Sequence, residues 1–152
     1  MQLEVSNDYG YVIALGCFMY LTQQLILLIV PGGVMSARKD TGIKAPTLYP
    51  RDSEIKKLKL TDEQVNRYYC AQRAHQNSME FYSVFMGLFL IIGLFEPLET
   101  AKAGAVVAVF RLIGGFAYIK LIPVPRGAGG FFHLGELYVL YLGFRQAYRM
   151  TQ

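Results

Sequence analysis

The sequence is poor in charge. Charged residues make up 17% of its 152 positions, against about a quarter in average soluble domains. No basic residue precedes Arg38, which argues against a cleaved secretory signal, because such a segment starts with positive charge. The apolar run at this end is also too long for a signal core and has no small-residue cleavage site, so it is expected to be a retained helix. Cysteine is scarce. Cys17 and Cys70 are the two present; their spacing gives neither a disulfide framework nor a metal site, and both read as buried thiols. No repeat and no low-complexity tract interrupts the chain, and its length suits one domain.

What is abundant is apolar sequence in long runs. Apolar residues make up 53% of the chain. Tyr9 to Val30 is 22 residues without a formal charge, interrupted only by polar Thr22, Gln23 and Gln24. Phe81 to Phe95 is 15 uncharged residues, Ala103 to Ile119 carries only Arg111, and Phe131 to Phe144 carries His133 and Glu136. A spanning helix needs about 20 mainly apolar residues, so the first run qualifies directly and the others qualify if their polar members face a bundle interior. The expected fold is an all-α integral membrane four-helix bundle, with helices at about 8–39, 62–95, 98–121 and 131–148. Pro31-Gly32-Gly33 should kink or break the first helix. Pro46 and Pro50 discourage helix in the polar segment 41–60. Thr61 and Gln64 form a capping box that starts the second helix, with Asp62 and Glu63 favourable at its positive end.

Charge is distributed unevenly. Eight basic residues lie between Arg38 and Arg67, whereas the turn between the second and third helices holds Glu96, Glu99 and Lys102. The positive-inside rule then places loop 40–61 and the 120–130 turn in the cytosol and both termini on the other side, although Arg145 and Arg149 run against it. Basic residues flanked by apolar runs fit an anionic membrane surface rather than nucleic acid. Small residues at Gly104, Ala108, Gly114 and Gly115 permit close helix approach. Four short helices enclose little interior for their polar groups, so a homo-oligomer is expected.

Those polar groups follow a pattern. Arg73, Asn77 and Glu80 fall at i, i+4 and i+7 and share one helix face, with Tyr69 and Gln76 close by and His75 pointing away. Ionisable groups at the mouth of a membrane helix are costly unless they meet partners, water or a ligand. One reading pairs Arg73 and Glu80 with neighbouring helices to fix packing. The other notes that a cation, an amide and an acid together suit a zwitterionic, peptide-like ligand. Arg111 and Tyr118 share a face of the third helix; Arg111 is either functional or internally bridged to Glu80 or Glu136. Arg126 sits at the expected cytosolic surface, where the residues alone favour a snorkelling or lipid-headgroup arginine over a functional one.

Ser36-Ala37-Arg38-Lys39, the run Arg73-Ala74-His75-Gln76-Asn77-Ser78-Met79-Glu80, and Arg111 with Tyr118 and Arg126 resemble the MAPEG family, membrane-associated proteins in eicosanoid and glutathione metabolism. The resemblance spans about residues 9 to 145. It implies a homotrimer with glutathione sites between subunits near the cytosolic side, in the endoplasmic reticulum or nuclear envelope of a eukaryote. It implies glutathione ligands at Arg38, Arg73, His75, Gln76, Asn77, Glu80, Arg111 and Tyr118, no metal, and Arg126 as the catalytic residue. A guanidinium beside the thiol favours the thiolate and does not lose its own proton. The chain differs from the family pattern at Gly114, Phe81 and Gly127. The implied activity is transfer of glutathione to an apolar lipid or xenobiotic electrophile, or reduction of a lipid hydroperoxide. A non-catalytic lipid-binding scaffold, which the family also contains, and an unrelated small bundle are the competing readings.

Overall fold

The computed structural model describes residues 5–120 and 128–152, with the side chains of 23, 24, 26, 128 and 129 excepted. Six helices account for most of it. Helix α1 runs over Tyr9–Tyr20, continues as a π-helical stretch over Leu21–Ile26 and ends in an α-turn, Leu27–Ile29. Helix α2 is Val34–Thr41, α3 Asp52–Leu58, α4 Asp62–Gly93, α5 Pro97–Ile119 and α6 Phe132–Met150, the last entered through a 3₁₀ turn at Ala128–Phe131. No strand occurs among the described residues.

The expected first helix, 8–39, is broken in two. Gly32 adopts φ +87°, a left-handed backbone that favours glycine, and the Gly33 amide donates to the Val30 carbonyl at 2.8 Å. The chain restarts as α2 with Gly33 as its extended N-cap. Upstream, the Thr22 hydroxyl donates back to the carbonyls of Phe18 at 2.8 Å and Met19 at 3.3 Å, where the helix widens into its π-turns. The run expected to cross a membrane most directly is therefore a composite helix. Among the described residues, α5 alone is long and apolar enough to cross by length and composition, at a mean hydropathy of 1.5.

Segment 41–60 also departs from expectation, because it contains α3. Pro50 does not obstruct that helix: it lies before the extended N-cap Arg51, outside the hydrogen-bonded turns. Asp52 and Glu54 then oppose the positive end of α3, Lys56 and Lys57 its negative end. The start of α4 matches the expected capping box, with the Gln64 amide donating to Thr61 Oγ1 at 3.3 Å and the Thr61 amide to Gln64 Oε1 at 2.9 Å.

The long helices pack antiparallel in sequence order around Val12, Met19, Phe85, Phe89, Val107, Val139 and Leu142, all buried. Where the surroundings are themselves apolar, such packing depends on close approach rather than on expulsion of water. Glycines provide it: a Cβ on Gly93 would come within 2.7 Å of Val12, one on Gly115 within 3.0 Å of Leu27, and one on Gly104 would strike the Phe89 ring. The outer surface is strongly apolar, with Phe144 76% exposed and Val84 70%, as suits a lipid-facing bundle. Cys17 belongs to that exposed surface and Cys70 is only half-buried, so the expectation of two buried thiols fails for both. In a helix apolar on every side, composition does not reveal which face turns inward.

Candidate functional site

One end of the bundle gathers α2, the 42–61 segment, the start of α4 and the end of α5. Here Ala37, Ile43, Tyr68 and Ala71 form a second buried cluster that holds the loop against α4. Polar bonds fix its course. Arg38 donates to the Thr47 carbonyl at 2.9 Å and the Ile43 carbonyl at 3.4 Å, and lies over the Tyr68 ring at 5.7 Å. The Tyr68 hydroxyl donates to the same Thr47 carbonyl at 2.7 Å and accepts from Gln72 at 2.8 Å. Arg38 thus anchors the loop. Among the described contacts, none joins it to Arg73, Asn77 or Glu80.

The anchored loop delivers Tyr49 to the polar stripe. Its hydroxyl donates to Gln76 Oε1 at 2.6 Å and lies within hydrogen-bonding reach of Arg73, and its ring meets Tyr69 at 5.7 Å. Arg73 donates to Asn77 Oδ1 at 2.8 Å and faces Glu80 at 4.0 Å. Tyr118 of α5 is within electrostatic reach of Arg73. The Arg73 and Glu80 side chains are 46% and 64% exposed, so their mutual attraction is heavily screened and adds little stability. Arg73, Gln76, Asn77, Glu80 and Tyr118 therefore come together, and Tyr49 is the member that sequence reasoning missed. Its one sequence signal is an aromatic fixed between Pro46 and Pro50 in a polar segment.

Next to the stripe, a cleft of about 280 Å³ opens between α4, α5 and the start of α6, lined by Asn77, Arg111, Gly114, Tyr118, Phe132 and His133 among others. Arg111 is half-buried, held between Phe81 and Phe132 at 4.4 and 4.7 Å, and donates to the Asn77 carbonyl. Its Nε is buried and makes no hydrogen bond among the described residues. It bridges neither Glu80 nor Glu136 among the described ion pairs; Glu136 Oε2 instead lies 2.6 Å from His133 Nδ1. A larger cavity, about 520 Å³, holds Asp40, Arg67 and Lys120 and none of the expected site residues.

His75 does not join this group: it is half-buried and makes no hydrogen bond or ion pair among the described residues. Arg126 lies outside the described residues. Cys70 sits in the third turn of α4 and is half-buried.

A model of the MAPEG family matches residues 13–145, most of the chain. The chain belongs to the MAPEG family. No solved structure gives a significant match. MAPEG proteins are membrane-associated helical bundles that bind glutathione and lipid substrates and form trimers. They include glutathione transferases, eicosanoid synthases and binding proteins of the lipoxygenase-activating type. For this MAPEG member, the family match spans both α4, which carries the stripe, and α5, which carries Arg111 and Tyr118.

Proposed function

We propose that the chain is a multi-pass membrane enzyme that binds glutathione and activates its thiol for attack on an apolar electrophile or a lipid hydroperoxide. The observation that carries this reading is the grouping of Arg73, Gln76, Asn77 and Glu80 under the Tyr49 hydroxyl, on an exposed face of an otherwise apolar bundle. Glutathione has two carboxylates, one ammonium and two amides. Arg73 suits a carboxylate, Glu80 the ammonium, and Asn77 and Gln76 the amides. An exposed pair that adds little stability has its use in binding rather than in packing. A second and third copy of the chain, as a homotrimer, would cover this face and complete the site. In a eukaryotic cell the chain would sit in the membrane of the endoplasmic reticulum or nuclear envelope, with loop 40–61 facing the cytosol.

Thiolate formation falls to Arg126 in this reading, on the resemblance of the run from Tyr118 to Arg126. An unperturbed cysteine thiol titrates at about 8.5, so a fixed cation beside the sulfur raises the reactive fraction at neutral pH. The test uses the full chain in detergent, with glutathione calorimetry and conjugation of 1-chloro-2,4-dinitrobenzene. Arg73→Ala should weaken glutathione binding by about tenfold or more, the loss of a charge-assisted contact, with the fold intact. Arg126→Ala should lower turnover by roughly 100-fold at little cost in affinity. Wild-type turnover in Arg126→Ala would remove that residue from the mechanism. Binding without turnover of any electrophile or hydroperoxide would instead indicate the lipid-binding scaffold.

A further inference from the structure

If the chain is a glutathione-dependent enzyme, as read above, the reaction needs more than a cation. An arginine stabilises a thiolate but cannot take the thiol's proton, because guanidinium stays protonated in proteins. Reduction of a hydroperoxide adds a second requirement, since the departing alkoxide must gain a proton. Both requirements point to a group that exchanges protons near neutral pH, which is the ordinary range of histidine.

The chain has two histidines. His75 lies two residues after Arg73 on α4 and so about 200° around the helix from the stripe. His133 lines the cleft with Arg111, Asn77 and Tyr118. Its Nδ1 is 2.6 Å from Glu136 Oε2. A carboxylate at that distance orients the ring, holds the proton on Nδ1 and leaves Nε2 to exchange a proton with a ligand, the division of labour seen wherever a carboxylate supports a working histidine. The groups facing His133 across the cleft are less suited to the task. Arg111 from α5 keeps its proton, Asn77 from α4 does not titrate, and the Tyr118 hydroxyl from α5 has no carboxylate against it among the described contacts. Phe110 and Phe132 give the cleft apolar walls that suit a membrane-soluble substrate.

We propose that His133, oriented by Glu136, transfers the proton in a glutathione-dependent reduction of organic hydroperoxides in this cleft. His133 Nε2 takes the thiol proton as the thiolate forms. The sulfur attacks the terminal peroxide oxygen, so that an S–O bond forms as the O–O bond breaks, and sulfur supplies the two electrons. His133 returns the proton to the departing alkoxide, giving the alcohol and the sulfenic acid of glutathione. A second glutathione thiol condenses with that sulfenic acid, releasing water and leaving the disulfide.

The test compares two reactions of the full chain in detergent: reduction of cumene hydroperoxide, and conjugation of 1-chloro-2,4-dinitrobenzene, whose chloride leaves without a proton. His133→Gln should slow hydroperoxide reduction about 100-fold, the usual scale of a lost general acid, and should slow conjugation less, so that the ratio of the two rates falls at least about tenfold. Added imidazole should restore part of the hydroperoxide reduction of His133→Ala, and Glu136→Gln should lower the same ratio by a smaller factor. A parallel fall of both rates without imidazole rescue, an unaffected His133→Gln, or loss of glutathione binding in that variant would each overturn the role. So would a wild type that conjugates but reduces no hydroperoxide. A wild type that binds no glutathione and turns over neither substrate would fail the enzyme reading itself, a result distinct from all of these.

Discussion

The Tyr49 hydroxyl donates to Gln76 Oε1 at 2.6 Å and joins a loop residue to a helix position 27 residues later. That bond ties the 42–61 segment to the polar stripe, and Arg73 lies within reach of the same hydroxyl. The loop is itself held from beneath by Arg38 and Tyr68, which converge on the Thr47 carbonyl. Tyr49 is therefore positioned by bonds that do not involve the stripe, and it brings its hydroxyl to the stripe already oriented.

Tyr49→Phe isolates that contribution. The ring and its contact with Tyr69 remain, and only the hydroxyl goes. A partly exposed hydrogen bond contributes about 1 kcal/mol net, so glutathione affinity should fall roughly fivefold, with the melting temperature nearly unchanged because water can reach Gln76 and Arg73. Calorimetric titration of the variant beside the wild type decides the matter. Equal dissociation constants would mean that Tyr49 serves the loop and not the ligand.

Much of this arrangement was legible from the sequence. The 3.6-residue period put Arg73, Asn77 and Glu80 on one face, and the structure joins them by a hydrogen bond and a 4.0 Å ion pair. Thr61 and Gln64 announced the start of α4 because a capping box is a local device, complete within four residues. What escaped depended on distant partners. Periodicity puts Arg111 on a face but does not say that Phe81, Phe132 and the Asn77 carbonyl will hold it there. Proline marked 46–50 as a break, yet Pro50 only precedes the N-cap of α3, and no pattern in that segment indicates that Tyr49 reaches α4. His133 and Glu136 were visible as polar residues in an apolar run, three residues apart on one helix face, but the place of His133 in the cleft follows from how α6 packs on α5.

Arg145 and Arg149, the two cations that run against the positive-inside bias, both meet Glu96 Oε1, at 2.7 and 2.8 Å. Their surroundings differ. Arg145 is 31% exposed, and its Nε makes no hydrogen bond among the described residues, whereas Arg149 is 56% exposed. Removing the carboxylate leaves a less hydrated charge without its partner at Arg145 than at Arg149. Glu96→Gln should lower the melting temperature of the bundle in detergent. In double-mutant cycles read by thermal unfolding in detergent, the Glu96–Arg145 coupling should exceed the Glu96–Arg149 coupling. Equal couplings would show that burial does not set the difference.

Gly87 offers a test of assembly. It lies seven residues after Glu80 on α4, so it continues the face that carries the stripe, and a Cβ there would meet nothing within 4 Å in the single chain. Leucine is a far better helix former than glycine, by nearly 1 kcal/mol in an exposed helix interior. In an isolated chain Gly87→Leu should therefore be harmless or stabilising. In the proposed homotrimer, a neighbouring helix packs against that face at a distance that glycine permits and leucine does not. The expected result is a loss of trimer, read by light scattering and cross-linking in detergent, with helix content by circular dichroism unchanged. Because the stripe borders the same contact, glutathione affinity should fall along with the trimer fraction. A variant that keeps its wild-type mass and its affinity would place the subunit contact on another face of the bundle.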